Sequence, residues 1–283
     1  MEGYLKEMRK NIDVVWDYRE KIITDKNNPI LAFKANRDRY SPTQGELLAG
    51  KPYLGSNASE DALTWNVFLT LYEAKRLAHV FRDYKFGRIR ALALWGLTPD
   101  TKHWNKDFQF TIGQSLRTYD GKFKGQMTEP DVAILGSNGL CIIECKLGYS
   151  DKSLSHLWEG PIKSINKRLP IYLKKFEQFK EYQNEKSVSY YQLIRMAFYA
   201  MILAEKYGVT PHLVSLMNEN NWRIKFGRER VSPEDVWADF CNITQKIFPE
   251  LKLNSFFWQK LIEIPEIRKL DKLYRYLKRH PCL

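Results

Sequence analysis

Residues 130–147 read Pro-Asp-Val-Ala-Ile-Leu-Gly, then Ser-Asn, then Gly-Leu-Cys-Ile-Ile-Glu-Cys-Lys-Leu. Two apolar runs joined by a Ser-Asn-Gly turn (137–139) predict an antiparallel hairpin. The second run is apolar at nearly every position, so it belongs inside a sheet covered on both faces. Side chains alternate along a strand, so Ile142, Glu144 and Lys146 share one face, and Cys141, Ile143, Cys145 and Leu147 the other. Charges in such a run are costly unless paired, bound to a metal or put to use. The hairpin carries Asp131 onto the strand beside Glu144. Two carboxylates and one ammonium then converge near one end of a sheet. Two carboxylates with a backbone carbonyl make a hard oxygen site of the kind Mg²⁺ prefers. The lysine beside them can orient or deprotonate a water and stabilise a negative transition state. The substrate implied is anionic, as a phosphodiester is.

The flanking sequence supplies the rest of a fold. Ser59 is a candidate N-cap, and Leu63, Val67, Leu71 and Ala74 keep a helical stripe over about 60–82. Residues 89–97, IRALALWGL, form a short apolar segment of unassigned type. Residues 107–119, DFQFTIGQSLRTY, alternate and predict a strand, followed by a turn at 120–125. Residues 190–208 form a helix apolar nearly all round, closed by Gly208, and 211–218 a short strand. From about 219 the chain reads as helices separated by Pro233, Pro249 and Pro265. The order is helix, three strands, helix, strand. It predicts an α/β fold around a mixed sheet flanked by helices. Residues 1–56 read as an N-terminal extension, 57–218 as the core, and 219–283 as a mainly helical C-terminal extension packed on it.

Pro130-Asp131 with Glu144-Cys145-Lys146 resembles the PD-(D/E)xK motif of the restriction-endonuclease-like nuclease superfamily. That superfamily shares a core of helix, three strands, helix, strand. The resemblance spans roughly 57–218. It implies metal-dependent phosphodiester hydrolysis that leaves a 5′-phosphate. Asp131, Glu144 and the Cys145 carbonyl would hold Mg²⁺, or Mn²⁺ in its place, and Lys146 would serve the water. It also implies an acid on the first helix, for which Glu60 is the match, with Asp61 and Glu73 as substitutes. A glutamine on the helix after the motif finds its match in Gln192. The superfamily contains dimers that cut both strands, so a homodimer is one expectation.

The letters of the motif recur elsewhere. Pro99-Asp100 with Asp120-Gly121-Lys122, Glu73-Ala74-Lys75 and Glu250-Leu251-Lys252 also fit. Only the 131/144/146 set has strand–turn–strand context. Plainer readings stand beside each residue. Glu144 and Lys146 can be an ion pair, Glu60 a first-turn acid stabilised by the helix dipole, and Gln192 a partner for a buried polar group.

Charge narrows the partner. Lys and Arg number 45 against 33 Asp and Glu, a net charge of +12. That balance favours a polyanion, and DNA is the expected one. Residues 162–180 and 267–280 interleave Lys and Arg with Tyr or Phe, which suits phosphate contact with base stacking. Nothing reads 2′-hydroxyl chemistry, so RNA stays open. A binding module on the same fold without turnover is the alternative from another class. The four cysteines, Cys141, Cys145, Cys241 and Cys282, lack zinc spacing and fit a reducing cytoplasm. The five histidines show no ligand spacing. No apolar run is long enough for a membrane span, and MEGYLKEMRKNIDVVW does not read as a secretory signal.

Overall fold

The computed structural model describes residues 13–39, 49–56, 58–100, 103–119, 129–147, 171–172, 174–177, 191–219, 223–225, 229–281 and 283. In chain order these form α1 (Pro29–Arg37), α2 (Glu60–Glu73), α3 (Leu77–Val80), β1 (Ile89–Leu94), α4 (His103–Tyr119), β2 (Val132–Gly136) and β3 (Gly139–Lys146). There follow α5 (Tyr191–Tyr207), β4 (Thr210–Met217), β5 (Arg223–Lys225), β6 (Glu229–Val231) and α6 (Pro233–Ile247). The chain ends with β7 (Lys252–Phe257), α7 (Trp258–Leu261), α8 (Pro265–Arg268) and α9 (Asp271–Arg279). It divides into two compact units, residues 1–80 with 258–283, and residues 81–257.

In the first unit, Ser59 caps α2 as expected, its hydroxyl accepting from the Ala62 N–H at 3.1 Å. The helix expected to run to 82 stops at Glu73. Lys75 takes φ +55, while Lys75 N–H bonds Tyr72 O and Arg76 N–H bonds Leu71 O. Those two bonds form a Schellman end, which satisfies the last carbonyls and turns the chain. Buried polar side chains on α2 tie down the segment before α1. Asn66 bonds the Ile23 N–H and the Lys21 carbonyl, both at 2.9 Å, and Trp65 Nε1 donates to the Thr24 carbonyl. Leu273 and Leu277 of α9 are buried within this unit.

The second unit is built on a five-stranded mixed sheet of order β1-β2-β3-β4-β7. β1, β2 and β3 are antiparallel neighbours, and β3, β4 and β7 run parallel. The predicted hairpin is there, with Leu135 opposite Leu140 and Ser137–Asn138 at the turn. Gly136 is required beside it, because a Cβ would stand 2.2 Å from the Phe86 carbonyl. α5 ends as expected at Gly208, φ +62. Ala93, Ala133, Ile142 and Leu213 line one sheet face and join α4, α5 and α6 in a single core. This is an α/β fold with a mixed sheet flanked by helices, compatible with a restriction-endonuclease-like core.

Two expectations need correction. Residues 107–119 are not a strand but most of α4. Phe108, Phe110 and Ile112 alternate, yet Phe108, Ile112 and Leu116 are buried at helical spacing while Phe110 is 57% exposed. The four-residue repeat outlasts the two-residue one and decides the element. The first strand is the unassigned apolar segment, Ile89–Leu94, closed by a two-residue turn with Trp95 and Gly96 at φ +51 and +76. Nor is the chain helical throughout from 219. β5 and β6 form a small ribbon, and β7 extends the main sheet beyond β4.

Candidate active site

Strand register builds the candidate site. Val132 pairs with Ile143, so Asp131, one residue back, stands opposite Glu144 on the face shared with α5. Asp131 is held from both sides. Its carbonyl accepts from the Trp95 N–H at 3.1 Å, and its Oδ2 from the Cys145 N–H at 2.8 Å. Lys146 lies two residues along from Glu144 on the same face. Its Nζ sits 2.7 Å from Glu144 Oε1 and 3.9 Å from Asp131 Oδ2. The side chains of Glu144, Lys146 and Asp131 are 5, 13 and 19% exposed. The three residues of the motif therefore meet at the end of β3. Just beyond, Asn218 Nδ2 bonds the Leu147 carbonyl at 3.1 Å and clamps the ends of β3 and β4 together.

The donor set suits a divalent cation. Two carboxylates and one ammonium leave a net charge of −1 in a mostly buried place, which a further positive charge would relieve. The Lys146 ammonium lies within 4 Å of both carboxylates, so a cation is already accommodated there. Both carboxylates offer hard oxygen. Among the described residues, no group of three or more His, Cys, Asp or Glu is arranged to hold a metal.

The remaining candidates sit on α2 and α5. Glu60 opens α2 in the first unit and is partly exposed, the setting of a first-turn acid. Its substitute Asp61 pairs with the buried Lys34 at 3.1 Å, and Lys34 also pairs with Asp38 at 3.1 Å. Burial works against the Lys34 ammonium, but Asp61 and Asp38 together hold its pKa above the usual lysine value. Glu73 is exposed at the far end of α2. Gln192 lies in the first turn of α5, half-buried, its Oε1 buried without a hydrogen-bond partner. Of the rival motif residues, Asp100 accepts from Asn105 Nδ2, Glu250 and Lys252 are exposed, and Lys75 occupies a helix end. Asp120, Lys122, Cys282, His156 and the polar run 148–164 lie outside the described residues, as does most of the basic segment 162–180.

One residue here has no signal in the local sequence. Ser215 on β4 is in register with Glu144, fully buried, and its Oγ has no hydrogen-bond partner. Only the crossover through α5 brings it beside Glu144. Cys141 and Cys145 form no disulfide and are buried on the opposite face, where burial pushes the Cys141 thiol well up. His212 and His280 are buried and His79 exposed. No helix among the described residues is long and apolar enough to cross a membrane.

Among known protein families, the one described as "Restriction Endonuclease associating with ARP" matches residues 6–280. No curated protein and no solved structure matches.

Proposed function

The chain belongs to the family of restriction endonucleases associating with ARP, and on that premise we propose that it is a Mg²⁺-dependent nuclease that hydrolyses phosphodiester bonds in DNA. The observation that carries this reading is the convergence of Asp131, Glu144 and Lys146 at the end of β3, with the ammonium 2.7 Å from one carboxylate and 3.9 Å from the other.

Asp131, Glu144 and the Cys145 carbonyl would hold the cation, with Mn²⁺ able to substitute. When bound, it supplies Lewis-acid polarisation of the phosphoryl oxygen and a more acidic water. Asp131 stays fixed, because Cys145 N–H and Trp95 N–H both hold it. Lys146 leaves Glu144 and turns its Nζ toward the attacking water or the charge growing on the phosphate. Gln192 Oε1, an open acceptor, orients the water's second proton. The basic residues of α9 add affinity that is independent of sequence.

The test is cleavage of labelled duplex DNA, single-stranded DNA and RNA with Mg²⁺, Mn²⁺ or EDTA, beside Asp131→Ala and Lys146→Ala. Metal-dependent cutting of DNA, lost in both variants, is expected. Salt-sensitive binding without cutting, retained by both variants, would replace this reading with the non-catalytic binding module.

A further inference from the structure

Glu144, Ser215 and Ser255 form one row across β3, β4 and β7. Apolar residues precede it on the same face, Ile142, Leu213 and Leu253, which belong to or pack on the core under α5. Ser215 is the middle member of the row. It is 0% exposed, and its hydroxyl bonds nothing. A buried hydroxyl without a partner costs free energy that an alanine at the same place would not. Its nearest ionised neighbour by register is Glu144, one strand spacing away, about 4.8 Å.

Glu144 now takes its hydrogen bond from Lys146. A divalent cation at Asp131 and Glu144 would repel that ammonium, and Glu144 would lose this donor. We propose that Ser215 positions Glu144 for the cation: its hydroxyl rotates to donate to the carboxylate that Lys146 gives up. This rests on the reading of Asp131 and Glu144 as cation ligands. Ser215 acts through Glu144 and is a positioning residue, not a ligand. Its unmet hydroxyl in the cation-free protein becomes satisfied when the site fills, so the residue weakens the empty site and strengthens the occupied one.

Those two signs give the test. Mg²⁺ is titrated by calorimetry, without nucleic acid, into the full chain carrying no change, Ser215→Ala, Ser215→Thr or Asp131→Ala. Thermal melts of the cation-free proteins accompany the titrations. Ser215→Ala is expected to bind Mg²⁺ roughly 10- to 100-fold more weakly, the effect of one hydrogen bond to a charged group. Its cation-free melting temperature should be unchanged or higher. Ser215→Thr, which keeps the hydroxyl, should bind within about twofold of the parent. Asp131→Ala should lose binding. Unchanged affinity in Ser215→Ala, with binding lost in Asp131→Ala, overturns the role of Ser215 and leaves the carboxylate site standing. A lower melting temperature with unchanged affinity makes Ser215 an ordinary structural hydroxyl. Equal binding by the parent and Asp131→Ala, or none by the parent, removes the carboxylate site and this role with it.

Discussion

The proposed mechanism gives Lys146 two jobs that pull in opposite directions. As the cation beside Glu144 and Asp131 it would compete with a metal for the same two carboxylates. As the group proposed to serve the water, it would be needed for turnover. Lys146→Ala should therefore bind Mg²⁺ several-fold more tightly while cutting about 10²–10⁴-fold more slowly, the range for a missing general acid–base group. Calorimetry and single-turnover cleavage on the same preparation check both halves. Weaker Mg²⁺ binding in Lys146→Ala would show that the ammonium supports the cation site rather than competing for it. The cation-free variant should also be less stable to urea, because two carboxylates lose their counter-ion. This trio is legible in the sequence because it needs only local geometry. A hairpin turn fixes the register of Asp131 against Glu144, and alternation puts Lys146 on the same face. Ser215 is not legible. More than sixty residues separate it from Glu144, and its place depends on how a parallel crossover aligns β4. A lone serine in TPHLVSLM carries no pattern.

At the next scale, α4 and β7 show why short-range pattern is ambiguous. Over five residues, Phe108 to Ile112 satisfy a strand as well as a helix, and only Leu116 at the next helical step breaks the tie. β7 leaves no sequence signal because it opens two residues after Glu250 and is half-exposed, with no apolar run to announce it. α9, by contrast, is legible as a basic segment, and the fold shows what its charges face. Within the first unit, Lys21 and residues of α9 line a cleft of about 670 Å³ that presents Lys272, Arg275, Tyr276 and Arg279. Arg275 is tied to Asp271, which leaves Lys272 and Arg279 as the exposed cations of this cleft available to phosphate. The buried Leu273 and Leu277 hold the helix whatever the outer face carries. Lys272→Gln with Arg279→Gln should leave the fold intact and weaken binding to DNA. The slope of log K against log salt should shrink by about 2, close to 0.9 for each phosphate no longer neutralised. Anisotropy of a labelled duplex in EDTA, over a KCl series, measures it. An unchanged slope would make this an ordinary solvated face.

Among the described residues, each compact unit buries one histidine that the proposed chemistry does not use, and the pair links stability to pH. In the second unit, burial and then the Lys252 charge pull the His212 pKa down to about 4. The ring packs edge-on against Phe86 and Tyr84, at 5.2 and 6.3 Å between centroids, and its Nδ1 has no hydrogen-bond partner. In the first unit, burial alone lowers His280 to about 4. Unfolded, each returns to about 6.5. Between those values the unfolded chain binds more protons than the folded one. Stability is therefore whole above about pH 6.5 and is lost as pH falls toward 4, where both states become protonated. Each histidine accounts for roughly 3 kcal/mol over that window, at about 1.4 kcal/mol for every pH unit between its folded and unfolded values. Urea unfolding at pH 7.5, 5.5 and 4.0 should show the decline. His212→Phe keeps a ring against Phe86 and Tyr84 but cannot titrate. It should match the parent near pH 7.5 to within about 1 kcal/mol, as a shape-conserving swap does, and lose less stability on acidification. Parallel curves for parent and variant would mean that His212 is protonated as readily in the folded chain as in the unfolded one, and that the acid sensitivity of the second unit lies with its carboxylates.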